Sequence, residues 1–465
     1  MPRSRYRKRR RKGFNVFRLP RQLRFTIFLA LCALVIFGGI KLFGWLGGLI
    51  FGSGETPAPV SVQMENTPQP VVTAEPTMMP TTEPSPTVEP EPTMVAPISV
   101  DNAQAPEETE GVRTATIRAV GDIIMHDPLL ATAKNDETRK YDFSQYFSLI
   151  SETMGKADYT VANVEAPMGG KGTRGYKGYP QFNTPAVLID NLLSCGVDML
   201  TLANNHALDT YYDGLKATLD NLDKKGMAHV GAYRSQEEYD TPQIIEVNGI
   251  KIGVLNYTTG TNGLERVSDA EAQEYGLRYT GSADYQKDAD DARAAGAEVL
   301  VAFMHWGEEY ERNPSRGQKS IAKQLAKAGV DVIVGGHPHM TQPITYITVT
   351  DDSGQEHRTL CLYSMGNFLS DQRAQYRDSG VVFEFTFQDN PETGRVELVS
   401  SRYVPTYVWR TGSEKKGYDY RVLAIGDWLK GAPDGMSDED YARMLEAWNE
   451  IILQLGQDIS GVALT

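Results

Sequence analysis

Asp122, Glu165, Asn205, His206, His305, His337 and His339 offer carboxylate, amide and imidazole atoms, the donors that divalent cations such as Zn, Mn or Fe accept. No thiolate belongs to the set. Four of the seven histidines in the chain fall within it, and that concentration is what draws attention to them. Taken singly, Asp122 reads equally as a strand-end cap, Glu165 as a solvated charge and His305, ahead of Trp306, as a packed ring. His337-Pro338-His339 is a stronger signal, because two imidazoles projecting from one loop after an apolar run can reach two adjacent cations.

The elements that must position these donors are short apolar runs: Ala115–Val120, Tyr159–Val164, Val197–Leu202, Glu298–Phe303 and Val330–Val334. Each donor or donor pair follows one of them. Between the runs lie segments with helical periodicity, at Phe143–Met154, Ala186–Cys195, Gly214–Lys225, Ala283–Ala295 and Gln318–Ala328. A near-repeat of helix end, short acidic turn and apolar strand recurs at Ala157-Asp158, Gly196-Val197-Asp198, Gly296-Ala297-Glu298 and Gly329-Val330-Asp331. This alternation predicts a layered α/β domain. Val247-Asn248-Gly249-Ile250 and Asp351–Gly354 read as hairpin turns, so the sheet is expected to be mixed. Ligands in open α/β sheets bind beyond the carboxyl ends of the strands, so the donors should share one rim.

Charge divides the chain. Residues 1–54 carry twelve Lys/Arg and no Asp or Glu, which leaves −26 for the remainder of a chain whose net charge is −14. An acidic body excludes a general nucleic-acid binder, which needs a basic face. Cys32, Cys195 and Cys361 have no metal or redox spacing and are too few for a disulfide scaffold. Residues 1–24 read as a basic cytoplasmic segment. Residues 25–51 read as a transmembrane signal-anchor, long enough at about 1.5 Å per residue to cross a bilayer with the positive flank inside. A cleaved signal peptide is the competing reading, with a normally shorter apolar segment. Residues 52–112, rich in Pro, Thr and Glu, read as a disordered linker, a stalk that holds the body away from the membrane. The expected location is therefore the cell membrane, single-pass, with the main domain extracytoplasmic.

Gly121-Asp122, Asn163-Val164-Glu165, Ala203-Asn204-Asn205-His206-Ala207-Leu208-Asp209, His305-Trp306-Gly307, Gly336-His337-Pro338-His339 and Ser364-Met365-Gly366-Asn367-Phe368 come in an order that resembles the CapA family over about residues 113–410. That family is associated with poly-γ-glutamate capsule synthesis, and its fold is similar to calcineurin-like metallophosphoesterases. The resemblance implies two divalent metals, with Asp122 and His339 on one, Asn205, His305 and His337 on the other, and Glu165 bridging. It departs from the wider phosphoesterase pattern where Ile124 replaces a histidine and Glu165 an aspartate. His126 is the nearest substitute. A bridged cation pair would activate water for attack. His206 would then protonate the leaving group while Asp209 orients it.

Lys171, Arg174 and Lys177 lie in a glycine-rich loop after Glu165 that could capture phosphate or polyglutamate carboxylates; a solvated mobile loop is the alternative. Glu308, Arg312 and Arg316 could line the same mouth, and Asn367 could shape the pocket unless Gly366 merely makes a turn. Residues 411–465 read as a helical C-terminal extension, with an amphipathic helix at Asp438–Leu455 that docks on its own domain. The expected function is the biosynthesis, export or attachment of an anionic surface polymer through a metal-dependent hydrolase or transferase site. The alternative is a non-enzymatic scaffold of a capsule synthase or export complex. The expected partners are the membrane, an anionic polymer or phosphorylated substrate, and capsule membrane proteins, without nucleic acid.

Overall fold

The computed structural model describes residues 111–350, 354, 356–413, 415 and 417–456. The expected basic segment, anchor and nearly all of the linker lie outside them. Among the described residues no helix is long and apolar enough to cross a membrane.

Fourteen strands form two mixed sheets among the described residues. The first sheet contains β1 (Thr114–Ile123), β2 (Tyr159–Val164), β3 (Met199–Thr201), β4 (Ala228–Val230), β11 (Asn367–Leu369), β12 (Ser379–Asn390), β13 (Arg395–Ser413) and β14 (Gly417–Ala424). Its order is β14-β13-β12-β1-β2-β3-β4, with β11 paired to β1. The second contains β5 (Ile244–Val247), β6 (Ile250–Thr258), β7 (Val299–His305), β8 (Val332–Gly336), β9 (Thr341–Thr350) and β10 (Glu356–Met365). Its order is β5-β6-β7-β8-β10-β9. β1 to β4 run parallel, as do β6, β7, β8 and β10, so the donor-bearing carboxyl ends of each sheet lie along one edge.

Side-chain alternation in strands covered on both faces explains the layers. Ile117, Val161 and Phe385 of the first sheet share one apolar cluster with Val254, Val301, Val334 and Leu362 of the second, so the sheets pack face to face. The outer face of the first sheet buries Leu188, Leu192, Leu215 and Leu219 of the helices Val187–Ser194 and Tyr211–Lys225. The outer face of the second buries Ala289, Ala322 and Leu325 of the helices Tyr285–Ala294 and Arg316–Lys327. The order is helix, sheet, sheet, helix, which is the expected layered α/β class with mixed sheets.

The chain passes from β10 in one sheet to β11 in the other at Gly366, whose φ is 73°. Gly366 O accepts the Asp122 N–H at 3.0 Å, and a Cβ on Gly121 would lie 2.1 Å from that same oxygen. Two glycines thus let the sheets meet at the rim, so Ser364–Phe368 is primarily a crossover.

Two expectations need correction. The helical pattern at Phe143–Met154 is broken into a 3-10 turn at Ser144–Phe147 and one helical turn at Ser151–Met154, because Phe143, Tyr146, Phe147 and Ile150 are buried without continuous helix pairing. The boundary at 410 falls inside β13, and residues 417–424 pair with it as β14, so the stretch after 410 begins as sheet. The helix Asp438–Leu455 has the expected bounds and docks on its own domain as expected, with Met444, Trp448, Ile451 and Leu455 joining the core between the sheets. The Asn248-Gly249 turn joins antiparallel β5 and β6 as expected; of the second hairpin turn, 351–353 lie outside the described residues.

Candidate metal centre

Strand register sets the site in two rows. Asp122 pairs with Asn163 and Asn163 with Thr201 across β1, β2 and β3; Thr258 pairs with His305 and His305 with Gly336 across β6, β7 and β8. Asn256 fastens the rows together: its Oδ1 accepts from the N–H groups of Leu202 and Ala203 at 3.1 and 2.9 Å, and its Nδ2 donates to Phe303 O at 3.0 Å. The Asn205 Oδ1 thereby comes within 2.9 Å of His305 Nε2. His337 and His339 both take positive φ, 94° and 58°, and these backbone bends bring both rings back over the rim.

Two groups of donors result, each with ligand atoms within 4.8 Å of one another: Asp122, Glu165 and His339, and Glu165, His305 and His337. Glu165 belongs to both. Its Oε1 lies 3.6 Å from His305 Nε2, 3.9 Å from His339 Nε2 and 4.0 Å from His206 Nε2. Asp122 accepts from Asn163 Nδ2 at 2.7 Å and from the His337 N–H at 3.0 Å. Gly336 leaves room for this, since a Cβ there would sit 2.7 Å from Asp122 Oδ1. His339 Nδ1 faces Asn367 Oδ1 at 3.1 Å and Asp122 Oδ2 at 3.3 Å. Donation from Nδ1 to Asn367 would leave Nε2 directed at Glu165.

Burial controls the charges. Glu165 is fully buried, which lifts its carboxyl from 4.5 to about 8; His339 opposes this and Asp122 adds to it. Burial drives His305 and His337 down to about 3. Burial would lower His339 as well, but Glu165 and Asp122 carry it up to about 9. Asp122 stays well below the usual carboxylate range, because the His339 hydrogen bond and the charges on His305 and His339 outweigh burial. Both oxygens of Glu165, Nδ2 of Asn205 and Nδ1 of His337 are buried without a hydrogen-bond partner among the described residues. Buried polar atoms are normally paired. A carboxylate with both oxygens bare, facing imidazoles and amide oxygens, fits a cation-holding site.

The remaining expected residues separate. His206 Nδ1 pairs with Asp209 Oδ2 at 2.7 Å, and that oxygen also accepts the Phe182 N–H at 2.6 Å. Burial alone would lower His206, but Asp209 and Glu165 raise it above its ordinary value. Lys171, Arg174 and Lys177 sit on the loop 169–184, tied to the site through Phe182 and Asp209, yet their side chains make no hydrogen bond or ion pair with the donor set among the described residues. Arg174 instead stacks 4.2 Å over Tyr211 and bonds Gln181. The Asn367 amide is engaged by His339, Gln372 and the Arg377 carbonyl, so it orients a ring rather than facing open space. Ile124 packs on Ala166 and Phe182. His126 accepts from the Asp371 N–H at 3.3 Å, is lowered to about 4 by burial, and belongs to neither donor group. Asn163 and Asn256 are the positioning residues that donor chemistry did not single out.

The fold and site define a two-sheet α/β protein with a dinuclear-type donor set at its strand ends. The family model described as "Bacterial capsule synthesis protein PGA_cap" matches residues 116–372, and the chain belongs to that family. It is 28% identical over 299 residues to the PGA biosynthesis protein CapA of Bacillus subtilis (strain 168), covering 63% of this chain and 73% of that one. It is 25% identical over 292 residues to the capsule biosynthesis protein CapA of Bacillus anthracis, covering 62% and 67%. Among solved structures, the calcineurin-like phosphoesterase YfkN of Bacillus subtilis matches with 14% identity and a TM-score of 0.38, covering 74% of this chain and 99% of that one. A likeness this slight bears on neither fold nor function.

Proposed function

We propose that this protein is anchored in the cell membrane by residues 25–51, holds its main domain outside, and acts there on an anionic surface polymer of the poly-γ-glutamate kind through a divalent-metal hydrolase or transferase site. The observation that carries this is Glu165, bare on both oxygens, buried, and shared by two donor groups. Asp122 and His339 would hold one cation, Asn205, His305 and His337 a second, and Glu165 both. Mn, Zn or Fe suit these donors. Bound there, the cations supply Lewis acidity toward a transferring group and lower the pKa of water.

The chain's own residues do the rest. Asp209 accepts from His206 Nδ1 and favours the imidazolium, whose Nε2 proton can be given to a leaving oxygen or nitrogen. Asn367 holds the His339 ring and Asn163 the Asp122 carboxylate in ligand orientation. A scaffold within a capsule synthase or export assembly is the second reading, favoured by Ile124 where the wider phosphoesterase pattern has a histidine.

The test is metal analysis of the purified protein with turnover of phosphoester and γ-glutamyl substrates, before and after His206→Ala. Two bound metals, with turnover lost and metal retained in the variant, support the enzyme. Bound metal without turnover on either class supports the scaffold, and a chain that binds no metal overturns the site reading.

A further inference from the structure

Two loops clasp each other beside His339. One follows β7 and carries Tyr310 and Arg312; the other joins β11 to β12 and carries Tyr376 and Arg377. The Arg377 guanidinium lies 3.4 Å above the Tyr310 ring, and Arg312 lies 4.0 Å above that of Tyr376. Each tyrosine occupies left-handed backbone, φ 68° and 70°, a conformation that bulky residues avoid. Tyr310 also donates its N–H to Pro338 O at 2.9 Å, and its ring centre is 5.9 Å from that of His339. The clasp is therefore built against the loop that bears both imidazoles.

Its two cations differ. Arg312 is tied down, bonding Glu450 O at 3.0 Å on the C-terminal helix and lying beside the Gln454 that bonds its own carbonyl. Arg377 makes no ion pair among the described residues, and its side chain has no hydrogen bond there. Its Nε is buried and unpartnered, as is that of Arg312. By contrast Arg113, Arg278, Arg410 and Arg443 all pair with carboxylates. Glu309 lies near enough to add to the rise that burial gives the Tyr310 hydroxyl, so the site holds an acidic neighbour as well as the free guanidinium. Arg377 also lies beyond the residues 116–372 matched by the family model.

We infer that Arg377, pre-oriented on Tyr310, receives an oxyanion of the substrate, phosphoryl or carboxylate, next to the cation site. This rests on the metal-site reading above and names a residue that selects the substrate. A stacked guanidinium presents a planar fork to such a group with little remaining freedom to lose, which a lysine cannot reproduce.

The experiment measures binding of inorganic phosphate and of a γ-linked glutamate oligomer to the full protein, Mn-loaded and chelated. Arg377→Ala, Arg377→Lys and Arg377→Gln are compared with wild type for affinity, metal content and thermal midpoint. The expected result is affinity for one or both probes lowered about 10- to 100-fold in Arg377→Ala and Arg377→Gln, less in Arg377→Lys, with metal content unchanged. Affinities within about twofold of wild type for both probes overturn the inference. So does a lowered midpoint or metal content with unchanged affinity per folded, loaded molecule, which would make the clasp structural. Wild type that binds neither probe also overturns it. A wild type without metal that still shows the Arg377-dependent difference sinks the cation reading alone.

Discussion

Replacing Glu165 by Gln in the chelated protein should stabilise it at alkaline pH and abolish its response to metal. The Glu165 carboxyl has no exposed surface and no hydrogen-bond partner on either oxygen, and burial raises it from 4.5 to about 8. A group raised on folding contributes its full stability below the unfolded value and loses it as pH climbs through the folded one. The wild type therefore loses stability between 4.5 and about 8, while the variant lacks this carboxyl and, with it, the charge that helps hold His339 and His206 up. At about 1.4 kcal/mol per pH unit the difference is on the order of 5 kcal/mol, and water entering the mouth would reduce it to roughly half. His305 and His337, lowered to about 3, lose their contribution on the acid side in both proteins and cancel in the difference. Urea unfolding followed by tryptophan fluorescence, from about pH 5 to 9 in chelator, reads this directly. In saturating Mn the order reverses, because a cation bound only by the native wild type adds stability by mass action. Wild-type and variant stabilities that stay parallel across the range in chelator would refute the assignment of Glu165 as an unpartnered buried carboxyl.

Asp209→Asn should lower turnover about 10²- to 10⁴-fold with metal content intact, since a neutral amide oxygen can still accept from His206 Nδ1 and the Phe182 N–H but no longer stabilises charge on the imidazole. Steady-state kinetics with metal analysis checks it. Arg118→Ala should destabilise the domain by about 3–5 kcal/mol, because it removes the buried partner of Glu384, leaving that carboxylate only the half-exposed Arg402, and takes away the donor to Met154 O. Urea unfolding measures it, and Arg118→Met combined with Glu384→Leu should recover most of the loss.

The parallel strands were readable because they are buried on both faces: Tyr159–Val164, apolar but for Thr160 and Asn163, has the bounds of β2. β3 was overdrawn at Val197–Leu202, since only Met199–Thr201 finds ladder partners. The β12 to β14 meander was harder to see. β13 is 19 residues long and alternates only in part, with Ser400, Ser401 and Arg402 in its middle, so no period-2 pattern announces its pairing with the adjacent β12 and β14. For the C-terminal helix the apolar stripe gave the element itself, but its destination between the two sheets depends on a surface assembled from β9 and β13 strands elsewhere.

The site divides along the same physical line. Donors at strand ends announce themselves by residue type, because few other uses concentrate imidazole and carboxylate after apolar runs. Positioning residues do not. Asn256 looks like any polar residue within β6, yet it joins the two sheets and sets the gap between Asn205 and His305. The basic loop attracted attention by its three cations, of which Arg174 turns to Tyr211 and Gln181. The guanidinium held over Tyr310, that of Arg377, stands in a sequence context of ordinary polarity. What marks it is a stacked position without an ion pair or side-chain hydrogen bond among the described residues, a property of three-dimensional neighbours that composition and spacing do not encode. In an acidic domain, an unpaired arginine held on an aromatic ring beside buried imidazoles is thus a better guide to the substrate's charge than the more conspicuous run of lysines.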